Sequence, residues 1–181
     1  LGIKFTILAP QQAAAVRSKG ETLWRELKGG GIDPGRPYAC PLPSGRTLAI
    51  YFYDGVIAHD VAFGGLLKDG ENFARRLLGG FSQVETGDRL VHIATDGETY
   101  GHHSRFGDMA LAYCLKRIES AGEARLTVYG EHLEEHPPVD EVRIVENSSW
   151  SCLHGVERWR SDCGCNTGSH PGWNQAWRAP L

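Results

Sequence analysis

Thr47-Leu48-Ala49-Ile50-Tyr51-Phe52-Tyr53 is the stretch that decides the fold. It is rich in β-forming residues and has almost no polar positions. A strand with one face in water alternates apolar and polar residues. A continuous apolar run instead suits a parallel strand covered on both faces. Working outward, Asp54-Gly55 ends this strand and Val56–Phe63 reads as a helical stretch before Gly64-Gly65. Glu71–Leu78 reads as a helix, Arg89–Ala94 (RLVHIA) as a third strand, Arg125–Tyr129 as a fourth and Glu141–Val145 as a fifth. Upstream, Lys4–Leu8 is a short buried strand ended by Ala9-Pro10, and Gln11–Arg17 and Glu21–Lys28 are expected to be helical. The second of these has an apolar face made by Leu23, Trp24 and Leu27.

The clearest helix spans about Phe106 to Ser120. Leu111, Cys114, Leu115 and Ile118 fall at i, i+3, i+4 and i+7, a single apolar stripe. Asp108 suits the dipole of its first turn, and Gly122 is a natural stop. Strand–helix–strand alternation predicts right-handed βαβ units, hence the α/β class with a parallel sheet or barrel. From Glu146 onward the pattern dissolves into Trp, Gly, Cys and Asn, a loop-rich C-terminal segment packed on that core.

The composition is that of an ordinary globular protein. Apolar residues make up 41% of the 181, charged residues 23%, and the formal net charge is −3. A mildly acidic balance carries no electrostatic footprint for nucleic acid, and no apolar run approaches the ~20 residues of a membrane span. Five cysteines in a chain too long to need disulfide staples point to the cytoplasm. The chain starts at Leu1 without Met and stops just after a Trp-rich stretch, so it is expected to be a fragment truncated at both ends.

Titratable groups concentrate directly after the third strand. Asp96-Gly97-Glu98-Thr99-Tyr100-Gly101-His102-His103-Ser104-Arg105 packs two carboxylates, two imidazoles, a phenol and a guanidinium into one loop. The C-terminal end of a buried parallel strand is where α/β barrels place their active sites. The bland alternative is a polar loop in which Asp96 or Glu98 caps a helix. Asp54, His59 and Asp60 follow another strand and either line the same rim or serve as a helix cap and a surface histidine.

The stretch Asp96–His102 resembles the D-x-E-x-[FY]-G-H signature of glycoside hydrolase family 57. Phe5-Thr6-Ile7-Leu8-Ala9-Pro10-Gln11-Gln12 is similar to the strand that follows that family's nucleophile region. Ile50–Asp54 with His59, Asp60 and Phe63 resembles one of its strand–loop–helix units. The resemblance extends over residues 1–181 and is strongest to bacterial members that carry an additional domain of unknown function.

The resemblance implies part of a (β/α)7 barrel, an incomplete TIM-like barrel, acting on α-glucans or maltooligosaccharides without a cofactor. In a retaining mechanism one carboxylic acid protonates the leaving oxygen and a carboxylate about 5–5.5 Å away attacks the anomeric carbon. By motif position Asp96 is the general acid/base. The paired Glu is expected ahead of Leu1, so the fragment alone is expected to be inactive. Glu98 then supports a neighbouring His or Arg, His102 binds a sugar hydroxyl or orients Asp96, and His103 is its exposed neighbour.

Trp150, Trp159, Trp173 and Trp177 offer flat faces for sugar stacking, with Trp150 the best placed. Cys152-x-His154 and Cys163-x-Cys165 are four candidate metal ligands, but structural zinc sites usually use gaps of two to four residues. No metal is therefore expected there. Two alternatives to the hydrolase or transglycosylase remain. One is a metal-dependent polysaccharide deacetylase-like hydrolase, with Asp96, His102 or His103 on a divalent cation. The other is a non-catalytic carbohydrate-binding barrel.

Overall fold

The computed structural model describes residues 2–81, 88–165, 170, 172–178 and 180. Leu1 and Leu181, on which the expected truncation rests, lie outside the described residues. Among the described residues six strands form one sheet: β1 (Phe5–Leu8), β2 (Ala13–Ser18), β3 (Arg25–Glu26), β4 (Tyr38–Pro41), β5 (Thr47–Phe52) and β6 (Asp140–Ile144). Five α-helices accompany them there: α1 (Gly55–Ala62), α2 (Gly70–Leu78), α3 (Gly107–Ala121), α4 (Tyr129–Glu135) and α5 (Glu157–Arg160). The spatial order is β1-β5-β4-β6-β2-β3. Among the described residues no helix is long and apolar enough to cross a membrane.

β5 is the apolar run that opened the sequence reading. It lies between β1, to which it is parallel (Phe5↔Ala49 to Leu8↔Phe52), and β4, to which it is antiparallel. Ala49 to Phe52 are all buried, as a doubly covered strand requires. The pleat sends Ile50 and Phe52 to one face, where they meet Val16, Ile32, Tyr38 and Val142. It sends Tyr51 to the other, among Phe5, His92, Tyr129 and His132, with ring centroids 5.0–5.9 Å apart. Each such fully buried apolar side chain contributes about 1.5–3 kcal/mol.

The sheet is mixed where the sequence pointed to a parallel one. β1–β5 and β4–β6 are parallel, whereas β4–β5, β2–β6 and β2–β3 are antiparallel. The largest departure is at Gln11–Arg17, expected to be helical, most of which lies in the strand β2 (Ala13–Ser18). Its alanines favour a helix in isolation, but Ala13, Ala15 and Val16 are buried in a strand that pairs with β6. Leu23 is exposed, and Trp24 is covered by the guanidinium groups of Arg17 and Arg143 at 4.5 and 4.1 Å from its ring centroid, so Glu21–Lys28 forms no amphipathic helix.

Arg89–Ala94 and Arg125–Tyr129 are not ladder strands. The former is tied by Leu90 N–H to the Gly35 carbonyl and by Asp54 N–H to the His92 carbonyl. The latter leads directly into α4. α2 and α3 form the second core with Val61, Leu67, Phe73, Ala74, Cys114 and Ile118. The buried stripe of α3 runs through Gly107, Ala110, Cys114 and Ile118, and Leu115 is exposed rather than buried. The helices approach so closely that a Cβ on Gly70 would sit 2.7 Å from the Tyr113 ring.

Candidate active site

β1 and β5 run parallel and end side by side, so the segments that leave them share one rim. A cleft of about 1010 Å³ opens there. Its floor is Ile7 and Leu8 of β1, Ala9 just after it and Tyr53 after β5. α1 contributes Ala58, His59 and Ala62, its C-cap contributes Phe63, and the segment after Arg89–Ile93 contributes Thr95, Asp96, Thr99 and His103. Ser148, Ser149, Trp150 and Trp159 close it from the C-terminal segment.

Asp96 is the one acidic side chain among the described residues that line the cleft. It precedes a single helical turn, Gly97–Tyr100, but its carboxylate makes no capping hydrogen bond; its carbonyl accepts from Thr99 N–H instead. The capping role weighed from the sequence is therefore not what holds Asp96 at the rim. Burial, and after it the negative charge of Asp96, raise the pKa of Tyr53 on the cleft floor. The turn is braced from below, where the Thr95 hydroxyl donates to Tyr100 Oη at 2.9 Å.

The turn distributes the other candidates unevenly. Glu98 does not line the cleft; its carboxylate meets His103 Nε2 at 3.2 Å. Of the two exposed histidines, His103 lines the cleft and His102 does not. The two rings lie 4.9 Å apart. His59 lines the cleft beside Phe63, with centroids 5.2 Å apart. Asp60 turns away and pairs with Arg76 Nε of α2 at 2.9 Å. Asp54 caps α1, accepting from Val56 and Ile57 N–H at 2.9 Å each.

Trp150 faces the cleft as expected, and Trp159 joins it. Both are about half exposed, at 57% and 48%, which leaves ring surface free for contact. The residues sequence reading missed are Tyr53, Gln12 and Ser148. Tyr53 had a signal, since the last residue of a buried parallel strand stands at the rim. Among the described residues, Asp96, His102 and His103 do not gather as metal ligands. The one group of three or more such side chains is Cys152, His154, Cys163 and Cys165.

Comparison with known proteins agrees with this geometry. The model of glycosyl hydrolase family 57 matches residues 2–145, so the chain belongs to that family. Among solved structures it is similar to the exo-type maltose-forming amylase from Pyrococcus sp. ST04, with a TM-score of 0.58 and 16% identity. The alignment covers 87% of this chain and 28% of the amylase. The mixed α/β fold thus corresponds to part of the family's (β/α)7 barrel, its six-stranded sheet unclosed among the described residues. No curated protein matches the chain.

Proposed function

We propose that residues 1–181 form part of the catalytic domain of a retaining glycoside hydrolase or transglycosylase acting on α-glucans. In this reading Asp96 is the general acid/base. The observation that carries it is Asp96 itself: a carboxylate on the C-terminal rim, spared any capping duty, facing a cleft with two exposed tryptophans. Membership of family 57 and the likeness to a maltose-forming amylase support an α-glucan or maltooligosaccharide as substrate.

Protonated Asp96 delivers its proton to the glycosidic oxygen as the bond to the anomeric carbon breaks. It then takes a proton from the water or sugar hydroxyl that resolves the glycosyl-enzyme. The resemblance of Phe5–Gln12 to the strand after the family's nucleophile region assigns the nucleophile to a glutamate ahead of Leu1. His103, held by Glu98, and His59 are placed to bind sugar hydroxyls, while Trp150 and Trp159 offer apolar faces to the rings. A cytoplasmic setting is consistent with five free cysteines.

The test is Asp96→Asn in the full-length protein, assayed on maltooligosaccharides. A loss of about 100-fold or more is expected. The loss shrinks on an aryl glycoside whose leaving group departs without protonation. A variant that keeps most of the wild-type rate on maltooligosaccharides refutes the assignment.

A further inference from the structure

Beyond Glu146 the chain has almost no core of its own. Between Ser148 and Pro180, the described residues that are buried are Cys152, Gly155 and Gln175. A loop-rich segment with one four-residue helix cannot bury enough apolar surface to offset its ordering entropy, and segments of this kind are held by disulfides or metals. What lies at the centre of this one is a knot of sulfur and imidazole.

Cys152 Sγ lies 3.6 Å from Cys165 Sγ, 3.9 Å from Cys163 Sγ and 3.6 Å from His154 Nδ1. Cys165 Sγ lies 3.3 Å from the same Nδ1, and all four ligand atoms fall within 4.8 Å of one another. A tetrahedron with zinc–sulfur bonds of about 2.3 Å and a zinc–nitrogen bond of about 2.0–2.1 Å has edges of roughly 3.5–3.8 Å. Four of the six edges, at 3.3–3.9 Å, bracket that range, and the other two stay within 4.8 Å. A disulfide requires sulfurs about 2.05 Å apart, and these cysteines are free. An iron–sulfur cluster usually takes four thiolates and would hold its sulfurs farther apart than one ion does.

We propose that Cys152, His154, Cys163 and Cys165 form a structural zinc centre. It is closed, with four protein ligands and no position for water, which assigns it to architecture rather than catalysis. Its one-residue gaps work because Gly164, at φ 78°, turns the backbone between Cys163 and Cys165 so that both thiols reach one point. Asp162 Oδ1 accepts from the N–H of Gly164 and of Gln175, and Gln175 Nε2 donates to the Cys165 carbonyl at 2.7 Å. These bonds hold the ligand loop in shape from outside, as outer-shell partners of metal ligands do.

The centre also has a consequence at the cleft. Trp150 precedes the first ligand by two residues, and Trp159 sits inside the loop that runs from His154 to Cys163. A single ion therefore anchors both cleft-lining tryptophans. The metal centre itself stands on its own geometry and lies beyond the residues matched by the family model.

The experiment is metal analysis of protein purified under reducing conditions with zinc supplied. One zinc per chain is expected, and replacing it with cobalt should give intense thiolate-to-metal charge transfer and the visible bands of a tetrahedral site. Cys163→Ser, Cys165→Ser and His154→Ala should lose the metal, whereas His154→Cys, which completes a four-thiolate set, and Cys40→Ala, outside the cluster, should keep it. Wild-type protein that holds no stoichiometric zinc and gives no cobalt–thiolate band overturns the proposal, as does a disulfide among these cysteines. None of these readouts involves a glucan, so a failed hydrolase assay leaves the result intact.

Discussion

The Gln12 carboxamide reaches across 136 residues of sequence to donate to the Ser148 hydroxyl at 3.1 Å. Its own oxygen accepts from Ala9 N–H at 3.1 Å, and its backbone carbonyl accepts from Val145 N–H at 2.8 Å. One buried side chain thus ties the end of β1 to the start of the C-terminal segment. Gln12→Ala leaves the buried Ala9 N–H without its acceptor, which costs about 1–3 kcal/mol. The urea midpoint should fall accordingly, and cleavage after Val145 by added protease should speed up. An unchanged midpoint would show that the tie is not stabilising.

His92 makes stability depend on pH. The Pro34 carbonyl can only accept, so Nε2, 3.1 Å away, carries the proton and Nδ1 accepts from the Tyr129 hydroxyl at 2.9 Å. Burial pushes the imidazole pKa down to about 4, with His132 opposing charge as well and Asp54 favouring it. The unfolded chain, with a pKa near 6.5, binds the proton first as pH falls. Stability is therefore full above about pH 6.5 and is lost progressively towards pH 4, by up to about 3 kcal/mol. Denaturant unfolding between pH 7 and 4.5 measures the slope, and His92→Gln should flatten it while lowering stability at pH 7.

Asp54 separates structural from chemical roles at the rim. Removing its two capping bonds with Asp54→Ala should cost about 1 kcal/mol, within roughly 0.5–2, and Asp54→Ser should recover most of it. Turnover at a temperature where the variant is folded should stay within a few-fold of wild type. A loss on the scale expected for Asp96 would mean that Asp54 acts on substrate.

Trp150→Ala should weaken substrate binding and leave the chemical step nearly intact. Loss of about 1.5 kcal/mol of ring contact raises KM roughly tenfold. A fall in kcat at unchanged KM would assign Trp150 to positioning of the reacting bond instead.

Sequence periodicity found the elements whose environment is local. β5 announces its double burial by composition, and α3 announces itself by the Cys114 and Ile118 of its stripe. It failed where a distant partner decides. Ala13–Ser18 is a strand because β6 lies beside it, and nothing within those six residues says so. The rim was legible because Asp96 follows a buried segment, but one helical turn brings His103, five residues on, back to Glu98, and it is His103 rather than His102 that lines the cleft. For the cysteines, linear spacing omits the turn at Gly164, which brings Cys163 and Cys165 to the same cluster.

The pairing of β2 with β6 has a kinetic side. Arg17 Nε and Glu141 Oε2 meet at 2.6 Å although 124 residues separate them. Closing so long a loop costs configurational entropy before any ladder bond forms, and non-local pairing of this kind slows folding. β6 is also the strand that joins β4 to β2, so the sheet has no continuous middle until residues 140–144 arrive. During synthesis the strands made before β6 must therefore wait, with Val16, Ile50 and Phe52 only partly covered. The vulnerable moment falls before β6 leaves the ribosome.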